Sequence, residues 1–389
     1  MRLTRRDLLT SAALAALPGL GAPPRLRGKE VLPSPDFTAL HDAPWRLGVR
    51  PHRRGGFRLG LDPANPGGKL VFHNYGHGGA GITLSWGCAS MLCDLFLAEL
   101  RARRLPVDAT PVAVLGTGVI GLTVATELRR RWPTLPVHVY AKSLDVRDTT
   151  SFVAGGQFEP SGIWREYDSE ALRPTLAAVL RRSRDRVVEL QRSGQRTSFG
   201  VAERKNYTLD HPNRAFEQFV PPDVVPPPRR GRLPFEKLRV LGREYSTWLL
   251  NPTVLLPKLA RDLREAGVRF TAQTFSSHDE LAALPEPVVI NCTGYGAKQL
   301  MADEQLVGQR GHLVLLKKTH EKQFYFFSGG CSNFATSYVF CRQDDIVLGG
   351  TVQSGRDSAE PVSGDEVLFE RILANNRALF EGRPGACER

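Results

Sequence analysis

Residues 73–87, HNYGHGGAGITLSWG, set five glycines among two histidines and a tyrosine, then run straight into the helix-like CASMLCDLFLAELRARR. Glycine lets backbone come close to a ligand, and a helix starting just after such a loop directs free N–H groups at it. A second glycine-rich loop follows in VAVLGTGVIGLTVATELRRRW. There an apolar strand leads into Gly116-x-Gly118-x-x-Gly121 and a helix begins at once. In that setting Gly116 permits the tight turn, Gly118 lets backbone reach a pyrophosphate, and Gly121 brings helix and strand together. Val119 and Ile120 lie inside the loop and are expected at the same dinucleotide.

An acidic residue about 20 residues further on normally holds the adenosine ribose of such a cofactor. After VHVYA this chain has Lys142 instead. Lysine suits either a 2′-phosphate or a cofactor whose ribose is held in another way. The next stretch, DTTSFVAGGQFEPSGIW, separates these readings. Thr149, Thr150 and Ser151 offer three hydroxyls for pyrophosphate or adenine-side groups, and Gly155 and Gly156, followed by Gln157, offer a second close backbone approach. A nicotinamide cofactor needs no second cradle so soon, whereas a flavin dinucleotide lying extended through the protein does. FAD is therefore the expected cofactor.

GTGVIGL, TTSFVAGGQFEP, VVINCTG, DIVLGG, LGVRPHRRGGFRL and above all HNYGHGGAGITLSWG together make the chain resemble the D-amino-acid oxidase family of FAD enzymes, which includes D-aspartate oxidase and is related to glycine oxidase. These pieces extend over most of residues 46–350. Their order differs from the family's, in which the dinucleotide fingerprint lies near the N-terminus and the arginine and HNYGHGG motifs close the chain. Here both precede the fingerprint. A circular permutation accounts for this, with the usual ends joined through LRARRLPVDATPV and new ends opened between NNRALFEGRPGACER and WRLGVRP.

The resemblance implies roles for particular residues. Gly76 to Thr83, with Gly78, Gly79, Gly81 and Ile82 among them, would wrap the flavin ring, and the helix N-terminus near Thr83 would stabilise negative charge on reduced flavin. Gly79 would offer its carbonyl to the substrate amino group, next to Ala80 where the family commonly has tyrosine. Arg50 matches the arginine that clamps the substrate carboxylate, a task suited to its planar fork. Tyr338 matches a carboxylate-binding tyrosine, while the position four residues earlier, often a second tyrosine, is Phe334. With Arg50, Tyr338 and Gly79 fixing a D-amino acid, the Cα hydrogen can pass as hydride to flavin N5, largely by positioning. Dioxygen would reoxidise the flavin to give hydrogen peroxide, and the imino acid would hydrolyse to a 2-oxo acid and ammonia. Open alternatives are an exported dehydrogenase passing electrons to a respiratory acceptor, an oxidase of other amines, and a degenerate protein that keeps flavin without turnover.

The elements that must carry these residues read as an α/β protein. A Rossmann-like FAD-binding domain, residues 68–165 and 246–300, is expected beside a mixed-sheet substrate-binding domain, residues 46–67, 166–245 and 301–389. Helical periodicity marks RPTLAAVLRRSRDRVVELQRSG, NPTVLLPKLARDLREAGV and GDEVLFERILANNRALF. Residues 23–45 mix proline and charge without periodicity and read as a linker. Before them, residues 1–22 resemble a twin-arginine export signal: Arg5 and Arg6 precede a short run of small apolar residues that ends near Ala22. Export to the periplasm or outside is thus expected. No other segment reads as long and apolar enough to span a bilayer, and no membrane anchor is expected.

At 389 residues, 41% of them hydrophobic, the chain can bury a large core. Its net charge of +12 falls to ten once a signal holding Arg2, Arg5, Arg6 and Asp7 is removed. The arginine-rich LRRSRDRVVELQRSGQR is interleaved with apolar and acidic residues, which reads as a solvated helix face, so no nucleic-acid partner is expected. Six cysteines show neither a CxxC pair nor zinc-site spacing, so neither a disulfide nor a metal is expected, and the five-residue step from Cys88 to Cys93 puts those two on different helix faces. The expected partners are a small-molecule amino-acid substrate and dioxygen or another electron acceptor.

Overall fold

The computed structural model describes residues 30–64, 66–167, 171–210, 219–329 and 335–382. The expected export signal, Phe334, Cys331 and Cys387 lie outside them. Strands β1 (Leu40–Arg53), β2 (Arg58–Leu61) and β3 (Leu70–Tyr75) precede helix α1 (Gly81–Ala102). A βαβ unit follows: β4 (Val112–Leu115), α2 (Val119–Arg131) and β5 (Val137–Ala141). Next come α3 (Arg173–Arg192), β6 (Val201–Leu209), β7 (Arg229–Arg232), β8 (Leu241–Leu250), α4 (Pro252–Glu265), β9 (Arg269–Ala272) and β10 (Val288–Asn291). The last elements are β11 (Leu306–Lys317), β12 (Tyr325–Gly329), β13 (Ala335–Cys341), β14 (Asp345–Thr351), β15 (Gln353–Ser354) and α5 (Asp365–Phe380).

Two sheets divide these strands. A six-stranded sheet runs β2-β3-β10-β4-β5-β9, all neighbours parallel except β2 against β3. VAVL of β4 and VVIN of β10 are continuous buried runs, as strands covered on both faces require. On one face α1, α2, α3 and α4 build a core with Val112, Val114, Val288 and Ile290; on the other, Val71, Leu115 and Val289 pack with Phe275 and Leu281. α4 begins at Pro252, with the Asn251 side chain accepting the Thr253 N–H.

The second sheet has nine strands, ordered β1-β11-β14-β13-β12-β6-β8-β7, with β15 paired to β11. Its two faces differ. Val314, Leu316, Tyr325, Phe327, Val339 and Leu348 point to α5, where Phe369, Ile372, Leu379 and Phe380 seal them. The alternate positions turn Leu313, Leu315 and Val347 toward Val153, with Tyr338 and Phe340 on the same side, and so look toward the six-stranded sheet.

Residues 40–104 contribute to both sheets: β1 pairs antiparallel with β11, and β3 runs parallel beside β10. The stretch expected as a linker is partly structural. β1 already starts at Leu40, Leu32 bridges Phe235, and Phe37 is buried against Phe380, because these apolar side chains close the far edge of the α5 core. α3 packs its apolar stripe, Leu176, Val179, Leu180, Val187 and Leu190, in the core beside the six-stranded sheet. Its outward Arg181 and Arg182 pair with Asp223 and Asp94.

One expectation is corrected outright. Gly78–Ala102 is long and apolar enough to cross a membrane, yet about two thirds of its most apolar stretch is buried inside the protein. Residues 82–89 of this helix are apolar or small on every face because α2, α3 and the sheet cover them, whereas Asp94, Leu95 and Arg101 are exposed further along. The same cover explains why Cys88 and Cys93, on different faces, are both free and fully buried.

Candidate active site

A cavity of about 360 Å³ lies where the two sheets face each other. Gly78, Gly79, Gly81 and Ile82 line it from one glycine loop, and Gly116, Gly118, Val119 and Ile120 from the other. Thr149, Thr150, Ser151 and Arg50 complete the set of expected residues on its wall. The N-termini of α1 and α2 thus open onto one space, where the positive ends of both helices favour an anion.

The glycines of the second loop have separate tasks. A Cβ on Gly116, whose φ is +118°, would lie 2.5 Å from the Cys292 carbonyl oxygen, and one on Gly121 would lie 2.1 Å from that of Gly116. Gly121 therefore serves packing and does not line the cavity. Gly118 meets nothing closer than the Ser151 hydroxyl at 3.4 Å, so its open side is left to a ligand. That hydroxyl accepts the Val119 N–H at 3.1 Å, while Thr150 donates to the Val49 carbonyl at 3.0 Å and Thr149 caps the turn Thr150–Val153. Thr150 thus ties this turn to β1 and Ser151 ties it to α2, and hydroxyls of this kind retain acceptor capacity for a ligand in the cavity.

The AGG segment behaves otherwise than its sequence suggests. Gly155, Gly156 and Gln157 do not line the cavity. A Cβ on Gly155 would strike the Phe340 ring at 2.5 Å, and one on Gly156, at φ +86°, the Leu250 carbonyl at 2.6 Å. The close approach is of protein to protein, joining this segment to β8, where Gln157 bridges Leu249. Its effect reaches the first loop through Thr83, whose hydroxyl donates to the Glu159 carbonyl at 2.9 Å and accepts the Glu159 N–H at 3.0 Å. Thr83 is thus buried below the cavity wall, not on it.

On the substrate side, β1 carries Arg50 over Gly311, where any side chain would collide: a Cβ there would sit 2.4 Å from Arg50 Nη1. Nη1 donates to the Thr351 carbonyl at 3.2 Å. Among the described residues no carboxylate pairs with Arg50. Tyr338 lies flat over Gly349, leaving no space for a Cβ there, and hydrogen-bonds Arg50. Burial raises its phenol pKa, with the Arg50 charge and hydrogen bond opposing, so the hydroxyl stays protonated. Gly79 closes the group, 3.6 Å from Arg50 Cδ and 3.0 Å from the Ser161 carbonyl, measured from a Cβ it lacks. Arg50, Tyr338 and Gly79 are thereby brought together.

Sequence reasoning missed other members. Asn74, inside HNYGHGG, lines the cavity with both side-chain polar atoms buried and unpartnered. His77 lines it too, stacked on Phe57 with Nε2 unpartnered, and burial lowers its pKa to about 3. Orphaned polar atoms of this kind call for a polar ligand. Lys142, exposed at the end of β5, lines the far end beside Ser143 and Asp148, whose side chains hydrogen-bond at 2.6 Å. An elongated space with two helix N-termini, open glycine faces and an unsatisfied amide fits a dinucleotide along its length.

A parallel sheet with a GxGxxG turn, closed by a second sheet that presents an arginine with no carboxylate partner among the described residues, defines a dinucleotide-dependent enzyme. The family described as FAD dependent oxidoreductase (DAO) matches residues 111–388, and the chain belongs to it. FAD is its cofactor. The chain is 29% identical over 277 residues to a D-amino-acid oxidase of Rubrobacter xylanophilus, covering 70% of this chain and 78% of that one. It is 24% identical over 291 residues to human D-aspartate oxidase, covering 72% and 79%. Among solved structures, iminodiacetate oxidase from Chelativorans sp. BNC1 superimposes with a TM-score of 0.49 at 16% identity, over 69% of this chain and 79% of that one.

Proposed function

We propose that the protein oxidises a D-amino acid with dioxygen and water to a 2-oxo acid, ammonia and hydrogen peroxide. The observation that carries this reading is Arg50: a cation without a carboxylate partner among the described residues, held against Gly311 beside a protonated Tyr338, on the wall of the cavity that both glycine loops share. Such a fork lacks only the ligand it is shaped for, a planar carboxylate. The names of the relatives support the amino-acid class and the D configuration. FAD supplies the two-electron acceptor. Arg50 and Tyr338 hold the carboxylate, and the Gly78–Ile82 turn borders the reacting centre. No general base is required of the protein beyond receiving the amine in its neutral form.

The test is anaerobic: the purified holoenzyme is mixed with single D- and L-amino acids while the flavin absorbance is followed. Bleaching by at least one D-amino acid, with one peroxide per turnover after air is admitted, is the expected result. Bleaching by amines or L-amino acids alone would overturn the substrate class. Bleaching that air does not reverse would instead favour a dehydrogenase. Export through the signal at residues 1–22 belongs to the same reading, as does a circular permutation. The permutation is supported by the family match starting at residue 111, after HNYGHGG, and by the participation of residues 40–104 in both sheets.

A further inference from the structure

We propose that Thr351, His312 and Asp365 form a buried relay that positions Arg50 for its carboxylate ligand. This rests on the reading of Arg50 given above. The β11–β14 ladder pairs Lys317 with Asp345 and continues regularly to Leu313 opposite Gly349. Pairing resumes at Arg310 opposite Gln353 in β15, one residue out of step. An extra residue thus bulges from the β14–β15 side opposite Gly311 and His312. Bulges of this kind redirect groups beside active sites.

Here the bulge turns the Thr351 carbonyl to Arg50 Nη1, 3.2 Å away, just where the guanidinium rests on Gly311. What holds it open is a side chain. The His312 N–H, left without a ladder partner, donates to Thr351 Oγ1 at 3.1 Å, and the same hydroxyl lies 2.6 Å from His312 Nδ1. His312 Nε2 lies 2.9 Å from Asp365 Oδ1, and Asp365 also accepts Arg310 through both oxygens at 2.6 Å each and the Val362 N–H at 2.9 Å. One proton arrangement connects the relay: Nε2–H donates to the carboxylate, Nδ1 accepts the threonine O–H, and the hydroxyl accepts the backbone N–H, while Arg310 Nη1, 3.2 Å from Nε2, donates to Asp365 Oδ1 instead. Asp365 opens α5, where a negative charge is favoured, so the relay ends on a fixed helix.

Arg310, His312 and Asp365 are 2%, 0% and 4% exposed. Desolvating such a cluster gains little stability over apolar packing, so its use lies in geometry. Thr351 is a positioning residue, acting through Arg50 and touching no substrate.

The experiment compares Thr351→Val, which keeps the shape and loses the hydroxyl, with Thr351→Ser, which keeps the hydroxyl. Benzoate is the probe, titrated into the holoenzyme through its effect on the flavin spectrum, with FAD content and melting temperature measured alongside. Thr351→Val should weaken benzoate about tenfold and raise KM for the amino acid in step, with kcat and FAD content within about twofold, while Thr351→Ser stays near the parent. Unchanged benzoate affinity in Thr351→Val, or equal loss in Thr351→Ser, would overturn the relay. Should Thr351→Val not fold, His312→Asn, too short to reach both partners, should weaken benzoate likewise, and parent-like affinity would overturn the proposal. Arg50→Leu separates the two readings. If it leaves benzoate binding intact, the role of Arg50 itself fails; if it abolishes binding while Thr351→Val does not, only the relay fails.

Discussion

The two glycine loops border one cavity, yet they are held in different ways. Around Gly116–Gly121 the supports are backbone: the Cys292 carbonyl fills the place of a Gly116 side chain, the Gly116 carbonyl that of Gly121, and the Gly116 N–H donates to Tyr140. Nothing in that set titrates near neutrality. Around Gly78–Thr83 ionisable side chains stand close by, and burial shifts two of them, His77 downward and Glu159 upward. His52 Nδ1 stands 3.0 Å from where a Gly78 Cβ would be, with its other nitrogen on Glu166; His77 stacks on Phe57; and the Thr83 hydroxyl bonds the backbone of Glu159, whose own carboxyl accepts the Tyr245 hydroxyl. A dinucleotide cradle needs only a fixed shape, and backbone provides it. The HNYGHGG loop sits instead beside two buried groups, His77 and Glu159, whose charge depends on pH.

The largest effect that sharpens this contrast belongs to Gly121→Ala. A methyl 2.1 Å from a carbonyl oxygen forces strand and helix apart. Overpacking against backbone costs about 3 kcal/mol or more, roughly 6–12 °C in melting temperature for a large domain. The loss should appear in apoprotein and holoenzyme alike, because the clash is internal. An apoprotein that melts with the parent would show that the loop has give.

Gly118→Ala comes next and should act on the ligand alone. Its nearest neighbour, the Ser151 hydroxyl at 3.4 Å, is at ordinary contact distance, and its φ of −70° suits alanine. The apoprotein should therefore melt within about 2 °C of the parent, while FAD affinity, read by quenching of flavin fluorescence, falls about 10- to 100-fold. Unchanged affinity would mean that the pyrophosphate does not pass over this residue.

Much of this contrast was legible in the sequence because GTGVIG and HNYGHGG are local: the residues that turn the chain are those that face the ligand. Arg50 was legible only through its motif, since nothing in RLGVRPHRR marks which of four arginines points inward. AGG misled, because glycines forced by a neighbouring strand look the same in sequence as glycines kept for a cofactor, and Phe340 and Leu250, which force them, are far along the chain. Asn74 and the Thr351–His312–Asp365 relay were invisible for the same reason: their meaning depends on partners, or on the lack of them, that only the packed sheets supply.

The smallest expected effect tests the titrating shell directly. Glu159 accepts the Tyr245 hydroxyl at 3.1 Å, and burial raises its pKa from 4.5 to about 7. Since the unfolded chain loses this proton at lower pH than the folded one, Glu159 imposes no penalty below about pH 4.5, a growing one as pH rises to about 7, and a full one above. His77 works in the opposite sense: with its pKa lowered to about 3, it costs stability as pH falls below about 6.5. Glu159→Gln keeps an acceptor for Tyr245 and removes only the first of these. Its melting temperature should exceed the parent's by about 2–4 °C at pH 8 and match it near pH 4, where the acid-side loss from His77 remains. A gain of equal size at both pH values would show that Glu159 is strained by packing and not by charge, leaving His77 alone to make the surroundings of the first loop answer to pH.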